Sequence, residues 1–253
     1  MRLLLVNSNT STFVTDKVAA AARAVAQPAT EIVPVTGRFG ARVIATRTEL
    51  AIAEHATIEL LAEHAPGCDA VLIAVSYDVA LWAAREMLDI PVAGITESAL
   101  LTACMLGTRI GAVVFGRRVL PIYQERAAQC GLAGRIVGWR AIESTAPYAA
   151  GDQSEADALT VAAVRDLVER DGAEVVVLTG AVMAGVPARL QPQVDVPLLD
   201  GIGCGVRQAE ALVALAATKP RVGSLARLPV REMVGVSAAI EAHFSAVGGG
   251  TPR

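Results

Sequence analysis

Aromatic residues, histidine and cysteine are scarce in this chain of 253 residues: Phe, Trp and Tyr together make up 4 %, and there are three His and four Cys. The cysteines lie far apart, form no CxxC pair and have no His at the spacing of a metal site. This spacing excludes a disulfide scaffold and argues against a zinc site. The four are Cys68, Cys104, Cys130 and Cys204.

Long apolar runs and clustered positive charge are also missing. Although 53 % of the residues are hydrophobic, no run approaches the roughly 18 apolar residues that a membrane span needs. Lys and Arg are scattered and the net charge is −3, which argues against nucleic acid as the main partner. No basic segment followed by an apolar one indicates export. We therefore expect a cytoplasmic protein that binds a small molecule, with neither a membrane nor a nucleic acid as partner.

The chain alternates short β-rich runs with Ala-rich helical patterns, which is typical of an α/β fold whose parallel sheets carry helices on both faces. Apolar runs such as VLIAV and VVVL fit strands buried on both faces. The predicted strands are Arg2–Asn7, Glu31–Val35, Ala70–Val75, Pro91–Gly94, Arg109–Phe115, Arg135–Trp139, Glu174–Leu178 and Val196–Leu199. The predicted helices are Thr12–Ala26, Thr46–Glu63, Val79–Leu88, Glu97–Leu106, Arg118–Gln129, Glu155–Asp171, Met183–Leu190 and Gly203–Ala217.

An internal repeat distinguishes two lobes from an eightfold barrel. RLLLVNSNTS resembles RIGAVVFGRR, CDAVLIAVSYDVA resembles GAEVVVLTGAVMAG, and DIPVAGITESALL resembles DVPLLDGIGCGVRQAEALV, in the same order. Three matched pairs predict two similar units, each a four-stranded parallel sheet flanked by helices. We expect residues 1–95 plus 200–235 in lobe 1, residues 96–199 in lobe 2, and a partly disordered tail at 236–253, with GGGTPR disordered.

Ligands of open parallel sheets bind outside the carboxyl ends of the strands, so we expect a cleft between the lobes. The loops that would line it are Asn7–Ser11, Ser76–Asp78, Gly116–Arg118 and Thr179–Met183. In the first loop, the run NSNTS predicts a hydrogen-bonding site for an anion or a carbonyl group. Capping of the following helix explains one of these polar residues but not five in a row. The substrate-binding candidates from this loop are Asn7, Asn9, Thr10 and Ser11.

The second loop, VSYD, offers Ser76, Tyr77 and Asp78 as candidate catalytic residues. Tyr77 has a phenol that can donate a proton or polarise a carbonyl group, or its ring covers the rim of the cleft. Asp78 is either a proton-transfer group or a helix cap, and Ser76 is either functional or bonded to the backbone.

The remaining candidates come from lobe 2 and from the helix after the fourth strand. Thr179 and the backbone N–H groups of Gly180 and Ala181 form a candidate oxyanion site, with close packing as the alternative. Glu97 is a candidate base or a residue favoured by the helix dipole. Arg117 either binds a carboxylate or lies on the solvated surface.

Several familiar chemistries are not indicated. None of His55, His64 and His243 lies near a predicted cleft loop, so a Ser–His–Asp triad has no support. No GxGxxG or GxxxxGK[ST] follows a strand, so we expect no nucleotide cofactor, and we expect no metal.

Taken together, LLVNSNTS, DVALWAARE, PVAGITESAL, LGTRIGAVV, DGAEVVVLTGAVMAG and DVPLLDGIG resemble the aspartate/glutamate/hydantoin racemase superfamily, particularly its hydantoin racemase branch. The resemblance covers about Met1 to Leu215. It implies two pseudo-symmetric flavodoxin-like lobes, a cleft between them, no cofactor and a homo-oligomer. It also implies two cysteines on opposite faces of the substrate, one removing a proton and the other returning one.

Those two cysteines are absent, because the matching positions are Val75 and Gly180. Cys204, at the start of the last long helix, is the one candidate for a relocated thiol, since the helix dipole there would lower its pKa. The resemblance therefore implies a cofactor-independent enzyme acting on a cyclic amide or a carboxylate. We expect hydrolysis, ring opening, decarboxylation or elimination rather than two-cysteine racemisation. The alternatives are a racemase or isomerase with other bases and a non-catalytic metabolite-binding protein.

Overall fold

The computed structural model describes residues 1–143 and 152–245. All eight predicted strands and all eight predicted helices are present, with one further helix in the tail. The strands are β1 Arg2–Asn7, β2 Glu31–Thr36, β3 Ala70–Ile73, β4 Val92–Gly94, β5 Ile110–Phe115, β6 Ile136–Ile142, β7 Val175–Leu178 and β8 Leu198–Asp200. The helices are α1 Thr12–Val25, α2 Arg47–His64, α3 Leu81–Met87, α4 Ile95–Leu106, α5 Leu120–Gln129, α6 Ser154–Asp171, α7 Val186–Leu190, α8 Gly201–Ala214 and α9 Ala238–His243.

The strands form two four-stranded parallel sheets with the same topology. The order is β2-β1-β3-β4 in the first sheet and β6-β5-β7-β8 in the second. The repeat seen in the sequence is confirmed, because β1 and β5, β3 and β7, and β4 and β8 occupy equivalent places in the two sheets. The segment GGGTPR, predicted to be disordered, lies outside the described residues.

Each sheet is buried on both faces, as the continuous apolar runs predict. In the first sheet Leu4 and Ile73 face α2 and α3, while Leu5 and Leu72 face α1 and α8. In the second sheet the same alternation places two further hydrophobic clusters against α6 and α7 on one face and against α4 and α5 on the other. Within residues 1–143 and 152–245, no helix has the length and apolar character needed to cross a bilayer.

Helices α4 and α8 are exchanged between the two sheets. Helix α4 follows the last strand of the first sheet, yet Leu100 and Ala103 pack against Val175 and Val177 of the second. Helix α8 follows the second sheet and packs Val206 against the first. The two helices begin in contact, because a side chain at Gly201 would overlap the backbone of Ile95. This contact lies between the lobes and brings their loops together.

Most differences from the predicted boundaries are short turns at the carboxyl ends of the strands. Helices α3 and α7 begin later than predicted, because the single 3-10 turns Ser76–Asp78 and Ala181–Met183 precede them. Strand β6 runs three residues beyond its predicted end. The turns keep polar groups at the strand ends instead of burying them in regular helices.

Candidate active site

The Asn7–Ser11 loop forms a buried hydrogen-bond network at the end of β1. Asn7 Nδ2 donates to Asn9 Oδ1 at 3.0 Å and to Thr15 Oγ1 at 3.0 Å, and Asn9 Oδ1 also accepts from the Ser11 N–H at 2.9 Å. Ser11 caps α1 by accepting from the Val14 N–H. Thr10 donates its backbone N–H to Ala41 O at 3.1 Å. The run therefore does more than cap a helix, since its amides hold the loop in one conformation.

The turns after β3 and β7 are structural equivalents. Val75 and Gly180 each precede a single 3-10 turn, and the left-handed residues Ala80 and Gly185 each precede the following helix. The two positions at which the resemblance implies cysteines therefore occupy equivalent places in the two lobes. Val75 is buried in the core of lobe 1, and Gly180 has no side chain.

Three hydroxyl groups meet between the lobes, next to Gly180. A Cβ atom at Gly180 would lie 3.1 Å from Tyr123 Oη and 3.5 Å from Ser76 Oγ. The hydroxyls of Ser76 and Thr179 lie close enough to the Tyr123 hydroxyl to lower its pKa, and Thr179 Oγ1 donates to Val113 O at 2.8 Å. Lobe 1 contributes Ser76 to this hydroxyl cluster, and lobe 2 contributes Tyr123 and Thr179.

The Tyr123 phenol keeps its proton. Burial raises its pKa to about 12, and the neighbouring hydroxyls of Ser76 and Thr179 oppose the rise. The phenol is therefore protonated at neutral pH and has one proton to donate.

Tyr77 lies under the hydroxyl cluster and not in it. Its side chain is 3 % exposed, its hydroxyl donates to Ile44 O at 3.2 Å, and its ring packs on Tyr123 with the centroids 4.7 Å apart. Burial raises its pKa well above the usual range. The geometry argues against the proton-donor role predicted for Tyr77 and favours support of the Tyr123 ring.

Asp78 and Glu97 are engaged at the start of α4. The fully buried Asp78 carboxylate accepts from the backbone N–H groups of Thr96 at 2.7 Å and Glu97 at 2.8 Å. Burial raises the pKa of Asp78 to about 6, and those two hydrogen bonds oppose the rise. Glu97 forms a bidentate ion pair with Arg85. Asp78 therefore caps α4 and not α3, the helix that follows it in the sequence and that it was expected to cap. For Glu97 the contacts favour a structural ion pair over proton transfer.

The other candidates lie at the edges of the cleft or outside it. Arg117 is exposed and its backbone N–H donates to Glu143 at 2.7 Å. The expectation for Cys204 is wrong: its thiol packs in the cluster beneath α4, and burial raises its pKa to about 11. Burial likewise raises the pKa of Cys130 to about 11. In the described ranges, no three His, Cys, Asp or Glu side chains are grouped to hold a metal ion.

The sequence reasoning missed Tyr123. The candidates came from the loops at the strand ends, and Tyr123 lies inside a predicted helix. Its available signal was a hydroxyl beside Ile122 on the apolar side of a short helix, in a chain with three Tyr residues. A buried phenol of this kind needs a polar partner, and here the partners come from both lobes.

Known proteins share both the sequence and this architecture. The family described as Asp/Glu/Hydantoin racemase matches residues 3–209. A hydantoin racemase of Paenarthrobacter aurescens is 31 % identical over 217 residues, 85 % of this chain and 92 % of that protein. The structure of an allantoin racemase from Klebsiella pneumoniae superposes with a TM-score of 0.88 and 32 % identity, covering 95 % of this chain and 98 % of that one. A second allantoin racemase, from Pseudomonas fluorescens, gives a TM-score of 0.83 and 31 % identity, covering 93 % of this chain and 100 % of that one.

The chain belongs to the Asp/Glu/hydantoin racemase family, and it is an enzyme of the racemase superfamily. The expected fold of two four-stranded parallel sheets flanked by helices is confirmed. The substrate-binding and catalytic roles predicted for individual residues stay predictions.

Proposed function

We propose that this protein is an isomerase that inverts a carbon atom next to a carbonyl group in a small cyclic ureide of the hydantoin or allantoin type. The observation that carries the proposal is the hydroxyl cluster of Ser76, Tyr123 and Thr179, built by both lobes beside the turn after β7. The relatives named as hydantoin and allantoin racemases support this choice of substrate.

The first step of such a reaction leaves an enolate. The C–H bond breaks, its electron pair moves into the ring, and negative charge develops on the carbonyl oxygen. In this proposal the backbone N–H groups of Gly180 and Ala181 receive that oxygen, because the first N–H groups of a short helical turn have no partner within the turn. Fixed donors at a developing oxyanion contribute about 100- to 1000-fold each to the rate.

The proton passes through water in this proposal. Within the described residues, the four cysteine thiols and the three imidazoles all lie outside the hydroxyl cluster. Ser76 Oγ accepts a hydrogen bond from a water molecule, and that water takes the proton from the substrate C–H and passes it to solvent. A solvent proton delivered to the other face of the ring completes the inversion. Since each unit of pKa mismatch costs about 1.4 kcal/mol, the substrate C–H must itself be acidic.

A second candidate is hydrolytic ring opening or decarboxylation. The observation that favours it is that neither Val75 nor Gly180 supplies an ionisable group at the two equivalent positions. The same water and the same N–H groups would then attack a carbonyl carbon and hold the tetrahedral oxyanion, or would hold the enolate left by departing carbon dioxide. The two candidates differ in the product, not in the site.

The deciding experiment incubates single enantiomers of 5-benzylhydantoin and of allantoin with the protein in D₂O. We expect loss of optical purity on chiral chromatography together with deuterium at the inverted carbon by NMR, both faster than without protein. A ring-opened carbamoyl product without exchange of that hydrogen would overturn the proposal in favour of hydrolytic ring opening. Thermal stabilisation by these ligands without turnover would instead indicate a metabolite-binding protein.

A further inference from the structure

The turn that carries Ser76 has a backbone conformation that its residues disfavour. Tyr77, Asp78 and Ala80 have φ angles of 69°, 51° and 57°, in the left-handed region that glycine adopts readily and other residues adopt rarely. In the equivalent turn of lobe 2 the left-handed position that matches Ala80 is Gly185, and the residues that match Tyr77 and Asp78 do not have positive φ angles. Three such residues in one turn persist only where the surroundings hold them.

Arg126 of α5 reaches across the lobes to this turn. Its Nε donates to the carbonyl oxygen of Tyr77 at 2.8 Å and its Nη2 donates to that of Asp78 at 3.3 Å. Arg126 therefore binds the carbonyl groups of the two consecutive left-handed residues. The planar guanidinium group suits this arrangement, since its N–H groups diverge in a fixed fork.

The same helix presents Tyr123, one turn before Arg126. Residues three apart lie on the same side of a helix, so Arg126 and Tyr123 face the turn together: the Tyr123 ring packs on Tyr77 and its hydroxyl meets Ser76. Helix α5 thus both supplies a member of the hydroxyl cluster and grips the backbone immediately after Ser76.

We infer that Arg126 is a positioning residue that holds the Tyr77–Asp78 turn so that Ser76 Oγ faces the Tyr123 hydroxyl. Its consequence for turnover rests on the proposed function, whereas its effect on the two tyrosines does not. Loss of Arg126 frees a disfavoured turn and moves Ser76 away from the reacting geometry. Misplacement of a catalytic group by about 1 Å can reduce a rate about 100-fold.

The test compares Arg126→Gln and Arg126→Lys with the matched control Arg135→Gln. Arg135 also donates to two backbone carbonyl groups, those of Thr108 at 3.2 Å and Gly107 at 3.0 Å, but within lobe 2 and next to the amino end of β5. With 5-benzylhydantoin as the probe, we expect Arg126→Gln to lower kcat about 10- to 100-fold with KM within about threefold of wild type. Arg126→Lys should recover part of the loss, and Arg135→Gln should retain wild-type kcat.

A second readout needs no turnover. Tyrosine ¹³Cζ NMR separates the three tyrosines, and Tyr77→Phe and Tyr123→Phe assign the two signals. Arg126→Gln should shift both signals, and Arg135→Gln should shift neither. The inference is overturned if the two tyrosine signals do not shift in Arg126→Gln. It is also overturned if kcat falls as much in Arg135→Gln as in Arg126→Gln, or if Arg126→Gln keeps the wild-type kcat. If wild type turns over neither 5-benzylhydantoin nor allantoin, the proposed function fails and the NMR signals alone decide the role of Arg126. If Arg126→Gln does not fold, Arg126→Lys takes its place in both readouts.

Discussion

Tyr123→Phe removes the phenol oxygen and leaves the ring in place. The ring keeps its contact with Tyr77, but Ser76 and Thr179 lose the hydroxyl group that lies beside theirs. Ser76, which is proposed to hold the water that takes the substrate proton, then loses one of the contacts that fix its hydroxyl.

The size of the effect follows from the loss of that contact. Leaving a buried polar group without its partner costs about 1–3 kcal/mol, and about 1.4 kcal/mol in the transition state corresponds to a tenfold change in rate. We expect kcat for 5-benzylhydantoin to fall about 10- to 100-fold. The free energy of unfolding should fall by about 1 kcal/mol, because the lost contacts are between neutral groups.

Tyr77→Phe is the matched control. It removes the same atom from the stacked partner ring, whose hydroxyl donates to Ile44 O and not to the hydroxyl cluster. Its stability loss should be similar, about 1 kcal/mol, while kcat should stay within about twofold of wild type. Urea unfolding and steady-state kinetics measure both variants. Equal kcat values for the two variants would refute the role of the Tyr123 hydroxyl in the hydroxyl cluster.

Three further predictions concern the same region. Gly180→Ala should lower kcat more than Gly131→Ala does. Both residues have positive φ, but only the Cβ at 180 would lie 3.1 Å from Tyr123 Oη. Equal kcat values for the two variants would show that backbone strain alone lowers the activity. Gly94→Ala should lower the free energy of unfolding, measured in urea, by about 1–3 kcal/mol, since its Cβ would lie 2.6 Å from Asp78 Oδ1. The control Gly134→Ala should have little effect, because a Cβ there would have no neighbour within 4 Å. Burial raises the pKa of Asp78 from 3.8 to about 6, so its protonated form favours folding and that contribution is lost as pH rises through 6. Relative to Asp78→Asn, wild type should therefore lose about 2 kcal/mol of stability between pH 4 and pH 7. Urea unfolding at each pH measures this loss, and a constant difference would contradict the buried charge.

The fold could be predicted from the sequence because the patterns that indicate it are local and occur twice along the chain. Continuous apolar runs such as Ala70–Ile73 and Val175–Leu178 fit strands buried on both faces, and the repeat of three segments separated two lobes from a barrel. The turns after β3 and β7 were not accessible in detail. Nothing in SYD as a sequence shows that Tyr77 and Asp78 adopt left-handed angles, and Arg126, which binds their carbonyl groups, comes from the other lobe.

The candidate site could be predicted only in part, because it too depends on contacts between distant segments. Ser76 and Thr179 follow strands and were found as loop residues, but Tyr123 reaches them from a helix 47 residues after Ser76 in the sequence. The pKa of Cys204 was expected to fall because of its place at a helix start, and burial against α4 reverses the direction. In each case a contact between distant segments decides what the side chain can do.

The exchange of α4 and α8 bears on how a chain of this kind arises. Each half of the chain, divided between the end of α4 at Leu106 and the start of β5 at Ile110, contains a helix that covers the sheet of the other half. A half-length ancestor would have left one face of its sheet bare as a single copy. Two identical copies that traded this helix would cover each other's sheets, as the two halves of this chain do. The present asymmetry, with Val75 on one side and Gly180 on the other, is what a fused pair is free to acquire.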